Sequence, residues 1–195
     1  MFTIKTQSEA RQVRAFTHKV ADIPGGVTIC VAELIPGSIL FEGTPVGKGT
    51  DDLYHAVKTA KVAVEAAANA TSITIEKGSQ IKANDFICVG EGGKAVKVAS
   101  VAYGDTNDTI TIVLNDTTGL NKLTKGEVLV EATAASSSTA SKFKYAPVAL
   151  TGASYNVVAN DNIFSAAVTI GQVKESNIPP VNAAIKSALK GVVFI

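Results

Sequence analysis

Tryptophan is absent from this 195-residue chain, and cysteine, histidine and methionine are scarce, at two, two and one. Two cysteines cannot staple a disulfide-rich scaffold. Charged residues make up only 18% and aromatics 6%; about a quarter charged is usual for soluble domains. Neither sign of charge dominates: 18 basic and 17 acidic side chains leave a formal net charge of +1. That balance gives no electrostatic case for a nucleic-acid partner. Mean hydropathy is high, at +0.25. Yet no run of about 18 apolar residues is free of charge, Gly and Pro, so no membrane-spanning helix is expected. Met1–Arg11 is mixed polar and lacks the apolar core of a signal peptide. The expectation is a soluble chain without a nucleic-acid or membrane partner.

What is present is apolar material cut into short lengths. Hydrophobic residues make up 46%, too many for a wholly disordered chain. Residues 1–66 are dense in Gly and Pro: Pro24-Gly25-Gly26, Pro36-Gly37, Gly43-Thr44-Pro45 and Gly47-Lys48-Gly49. Such punctuation predicts short extended pieces joined by turns, an N-terminal region that projects toward a partner. Both arginines, Arg11 and Arg14, lie in it. Residues 67–131 read as a β domain. Ser72–Glu76 alternates cleanly, Phe86–Val89 is a buried run, and Lys94–Ala102, Thr109–Leu114 and Gly126–Val130 follow at roughly ten-residue spacing. Residues 132–144 begin with a small-residue tract, Ala132–Ser141, and read as a flexible loop or linker. Residues 145–195 complete the β domain as strand, helix and strand. Pro180 suits a first helical turn, and Val181, Ala184, Ile185, Ala188 and Leu189 form one stripe, with Gly191 closing it. The apolar terminus Val192-Val193-Phe194-Ile195 predicts a last strand buried in the domain or in a subunit interface. The fold class expected is mainly β with a short C-terminal helix, a small barrel or sandwich preceded by an extended N-terminal arm.

No constellation in the sequence carries chemistry. Gly43–Thr50 departs from a phosphate loop: three residues, not four, separate the first Gly from Gly47-Lys48, and Gly49 follows the lysine. His18, His55, Cys30 and Cys88 are too widely spaced for a zinc motif. Cys30 and Cys88 sit in apolar runs and read as buried free thiols. Asp51-Asp52 reads as a turn former and His55 as a packing or hydrogen-bonding residue. The expectation is no catalytic, cofactor-binding or metal-binding residue, no cofactor, and no enzyme.

Two segments resemble a known group. Phe41-Glu-Gly-Thr-Pro-Val-Gly-Lys, with Leu53-Tyr-His-Ala-Val-Lys-Thr-Ala-Lys-Val, resembles the N-terminal part of tailed-phage head fibre proteins. Val168-Thr-Ile-Gly-Gln-Val-Lys-Glu-Ser-Asn-Ile-Pro-Pro, then Ala183–Ile195, resembles the close of phage capsid decoration proteins. The likeness is one of pattern and covers about half the chain. It implies a structural virion protein on the outer surface of the head, associating as a homotrimer and contacting the major capsid protein. By that resemblance an N-terminal arm adds a strand to the capsid protein's sheet. Phe2 and Ile4 would pack on the capsid and Arg11 and Arg14 would pair with its acidic groups, while Val192, Val193, Phe194 and Ile195 would enter a subunit interface. The alternative is a glycan- or host-surface-binding β-module of a phage fibre. It would use exposed aromatic platforms, with Tyr54, Tyr103, Tyr145 and Tyr155 as the candidates.

Overall fold

Period-two alternation of apolar residues decides the largest elements. In Ser72–Glu76, Ile73 and Ile75 are buried while Ser72 and Glu76 face water. The computed structural model describes residues 14–114, 119–137 and 140–195. Five short strands come first: β1 (Phe16–Asp22), β2 (Val27–Ile29), β3 (Ile39–Leu40), β4 (Pro45–Lys48) and β5 (Tyr54–Ala56). The next six build one sheet: β6 (Thr59–Lys61), β7 (Ser72–Glu76), β8 (Phe86–Cys88), β9 (Ala95–Tyr103), β10 (Asn107–Val113) and β11 (Val128–Ala132). The chain then returns through β12 (Ala149–Thr151), β13 (Tyr155–Asn156), β14 (Ile163–Ser165) and β15 (Ala167–Val173). A 3-10 turn at Glu175–Asn177, the helix α1 (Ala183–Ala188) and β16 (Val192–Phe194) finish it.

Two main sheets result. The eight-stranded sheet runs β1-β15-β12-β4-β5-β2-β14, with β16 beside β15. It is antiparallel except at β2–β5 and β15–β16. The six-stranded sheet runs β6-β11-β8-β9-β10-β7 and is antiparallel throughout. It curls, and a bridge from Val62 to Ile75 brings its two outer strands together. The fold is mainly β with a short C-terminal helix, as the sequence predicts. Ile73, Ile75, Ile87, Val96, Ile110 and Leu129 fill the curled sheet. A second core, including Val27, Ile29, Leu40 and Val46, lies under the eight-stranded sheet. A third joins the two sheets: Val57, Cys88 and Val130 pack with Leu150, Val168, Ile185 and Val192.

Three elements differ from the sequence reading. From Phe16 onward the N-terminal region is woven into the fold: β1 pairs with β15, and β2, β4 and β5 lie inside the same sheet. Pro24-Gly25-Gly26, Pro36-Gly37 and Gly43 fall between those strands, whereas Pro45 and Gly47 lie within β4. The described residues of the Ala132–Ser141 tract contact the curled sheet: Ser136 bridges Ala95, Phe143, just beyond the tract, bridges Ala132, and buried Ser141 donates to Gly90 O (2.9 Å) and accepts from Gly93 N (3.0 Å). Finally, α1 starts after Pro180, because Asn182 is the better cap; its side chain accepts from Ile185 N at 2.9 Å. The Asn182 amide also donates to Val89 O, tying the helix to the curled sheet.

Candidate functional site

Three features stand out: a sheet edge, a chain of ion pairs, and a histidine cluster. The edge strand β1 carries bulges at three points along its pairing with β15, a common way to blunt an open edge. On the same side, Ala21 lies opposite Ile170, and Gln172 lies between His18 and Val193. Val20, Ile170, Val193 and Ile195 are all exposed there, Val20 at 64% and Val193 at 57%. The expected interface segment is therefore split. Val192 is buried in the chain's own core and Phe194 packs against that core, while Val193 and Ile195 point outward. Arg14 is exposed and leads into β1; Phe2, Ile4 and Arg11 lie outside the described residues. The tyrosines divide similarly: Tyr103 is exposed at the β9–β10 hairpin, while Tyr54, Tyr145 and Tyr155 pack against the cores.

The ion pairs run between the two sheets. Lys58, whose side chain is fully buried, donates to Asp85 at 2.8 Å and to Glu131 at 3.1 Å. Lys144 donates to the same Glu131 oxygen at 3.0 Å and to Glu33 at 2.8 Å. Tyr145 donates its hydroxyl to Glu33 at 2.9 Å. Burial, reinforced by the charge of Asp85, pushes the Glu131 carboxyl above its usual range against the pull of Lys58 and Lys144. Burial acts on Glu33 in the same sense, but the hydrogen bonds from Lys144 and Tyr145 and the Lys144 charge outweigh it and hold its carboxyl low. Burial also raises the Tyr145 hydroxyl, aided by Glu33, and pushes the Cys88 thiol up to about 11.

The third feature is only partly visible in sequence spacing. His55 in β5 has its Nδ1 3.3 Å from Glu33 and its Nε2 3.0 Å from Asp51. The Tyr145 ring stacks on the imidazole at 4.3 Å with a 12° interplanar angle. The His55 hydrogen bond holds the Asp51 carboxyl below its usual range. Cys30, just past β2, completes the group. No family model, curated protein or solved structure matches the chain. Each of the three features brings together residues distant in sequence, which the alternation of strands could not foretell; the local signals are the apolar terminal strand and the four-residue spacing of Asp51 and His55. A groove of about 310 Å³ lies between Phe41, Lys61, Glu76, Ser79, Asn177 and Pro180. It gathers one carboxylate and two lysines, Lys61 and Lys77; Lys61 is paired with Glu76 at 3.0 Å.

Proposed function

We propose that the chain is a structural protein of the tailed-phage virion that decorates the outer surface of the head, self-associates as a homotrimer, and contacts the major capsid protein. The apolar edge supports this reading. Val20, Ile170 and Val193 are exposed on the neighbouring strands β1, β15 and β16, and Ile195 is exposed just after β16. Exposed apolar clusters of this kind mark surfaces that associate. A rotationally symmetric trimer would repeat the contact three times. Much of the remaining apolar material fills the three cores, while Phe164, Val158 and Val64 are exposed elsewhere. The head-binding role itself rests on the resemblance of Phe41–Lys48 and Val168–Pro180 to head fibre and decoration proteins.

Sedimentation equilibrium of the purified chain and of Val193→Lys tests the association. The expected result is a trimer that falls toward monomer in the variant with its thermal transition unchanged. A wild-type monomer at tens of micromolar overturns the trimer.

A further inference from the structure

Three side chains with metal-ligating atoms converge at one end of the eight-stranded sheet. Cys30 follows β2, Asp51 lies in the turn between β4 and β5, and His55 lies in β5. The cysteine sulfur, a carboxylate oxygen and an imidazole nitrogen all lie within 4.8 Å of one another. The fold makes this meeting. Parallel pairing sets Ile29 opposite Tyr54, and Cys30 N donates to Tyr54 O at 2.8 Å, so β2 delivers its cysteine beside the histidine of β5.

The histidine is held as a ligand needs to be. Glu33 engages Nδ1, and Glu33 is itself fixed by Lys144 and the Tyr145 hydroxyl. A carboxylate on Nδ1 favours a proton there and turns the Nε2 lone pair toward an ion, the usual second partner of a metal-bound imidazole. The stacked Tyr145 ring fixes the plane. Gly49 supplies the space: a Cβ there would lie 2.5 Å from both Asp51 Oδ1 and His55 Nε2. Bare backbone thus borders the ligand atoms where any other residue would fill the gap. The His55 side chain is only 7% exposed, whereas that of Asp51 is 49% exposed, so the group has a buried wall and an open mouth.

We propose that Cys30, Asp51 and His55 bind a divalent transition-metal ion of the zinc class, with the fourth coordination position open to water. One thiolate, one imidazole and one carboxylate suit such an ion and do not suit calcium or magnesium, which take oxygen ligands. Bonds of about 2.0–2.3 Å place tetrahedral ligand atoms about 3.3–3.6 Å apart. Seating the ion therefore requires the 3.0 Å Asp51–His55 contact to open slightly, a movement that the exposed Asp51 turn allows. Loading exchanges the Cys30 thiol proton, and any proton on His55 Nε2, for the ion. The site is independent of the head-surface reading.

The test is a Co²⁺ titration of the untagged full-length chain after chelator treatment, followed by absorbance, with Zn²⁺ as competitor. The expected result is one equivalent bound, with a thiolate-to-cobalt charge-transfer band that Zn²⁺ abolishes. Cys30→Ser removes the band, and Cys30→Ser and Asp51→Asn each weaken Zn²⁺ binding at least tenfold. Glu33→Gln weakens it roughly ten- to hundredfold, as loss of a second partner does elsewhere. Cys88→Ser and His18→Ala leave the titration unchanged. Absence of one-equivalent binding overturns the proposal, as does a band that survives Cys30→Ser or disappears with Cys88→Ser.

Discussion

Replacing Lys58 by methionine removes one cation from between two carboxylates while keeping the apolar stem. The Lys58 side chain is fully buried, and its ammonium is the closest cation to Asp85 and a partner of Glu131. Without it, Asp85 Oδ2 retains the Lys82 backbone N–H at 2.9 Å, and Glu131 retains Lys144. Glu131 starts from a weak position, since its Oε2 has no hydrogen-bond partner. Breaking a buried pair by removing one member costs about 3–5 kcal/mol, because the remaining charge is stranded. For a chain of this size each kcal/mol moves Tm by about 2–4 °C, so Lys58→Met should lower Tm by roughly 6–20 °C. Circular dichroism melts at pH 7 measure it. The triple variant Lys58→Met, Asp85→Asn, Glu131→Gln removes the stranded charges as well. It should be more stable than the sum of the single changes predicts, by about 0.5–3 kcal/mol. A Tm fall under about 3 °C in Lys58→Met, or strict additivity in the triple variant, refutes the view that these charges are held as one buried unit.

Further outcomes follow from other contacts. Asn182→Ala removes the cap of α1 and its bond to Val89; it should cost about 1–2 kcal/mol in denaturant unfolding. The Lys144 ammonium meets a burial penalty, but its bonds to Glu33 and Glu131 outweigh this and raise it above its ordinary value of 10.5. A raised folded value means that Lys144 contributes stability fully below pH 10.5 and loses it as pH climbs through that raised value. Alkaline unfolding should therefore be shallower in Lys144→Met than in the wild type; identical pH profiles would count against the pairing. Cys88 is buried with its thiol pushed up to about 11, so a thiol reagent at pH 8 should modify it only at the rate of unfolding.

The curled sheet was legible because its strands alternate and its turns are punctuated. Ser72–Glu76 and Phe86–Cys88 fall where the pattern places them, and β9, β10 and β11 within two residues. The helix was legible in kind but not in length, since a run of Ala and Ile fits a helix from Pro180 onward and only the Asn182 cap selects the start. The N-terminal strands were harder. β4 and β5 are three or four residues long, and their place inside the eight-stranded sheet depends on partners β12 and β2 far along the chain. The Ala132–Ser141 tract has the composition of a linker, and its two described ends are held by long-range partners, Ser136 by Ala95 and Ser141 by Gly90 and Gly93. Of the site features, the exposed terminal strand was local and readable. The Cys30–Asp51–His55 group and the Lys58–Glu131–Lys144 ion pairs were not, because parallel β2–β5 pairing and the packing of two sheets create them.

Occupancy of phage heads tests the central claim most directly. Purified chain is mixed with tailed-phage heads that lack it, and bound protein is counted after the heads are pelleted. Saturable binding at a fixed ratio to the major capsid protein is expected, lost when residues 1–13 are removed although the shortened chain still folds. Full-length chain that stays in the supernatant at every concentration, or a shortened chain that reaches the same occupancy, contradicts it.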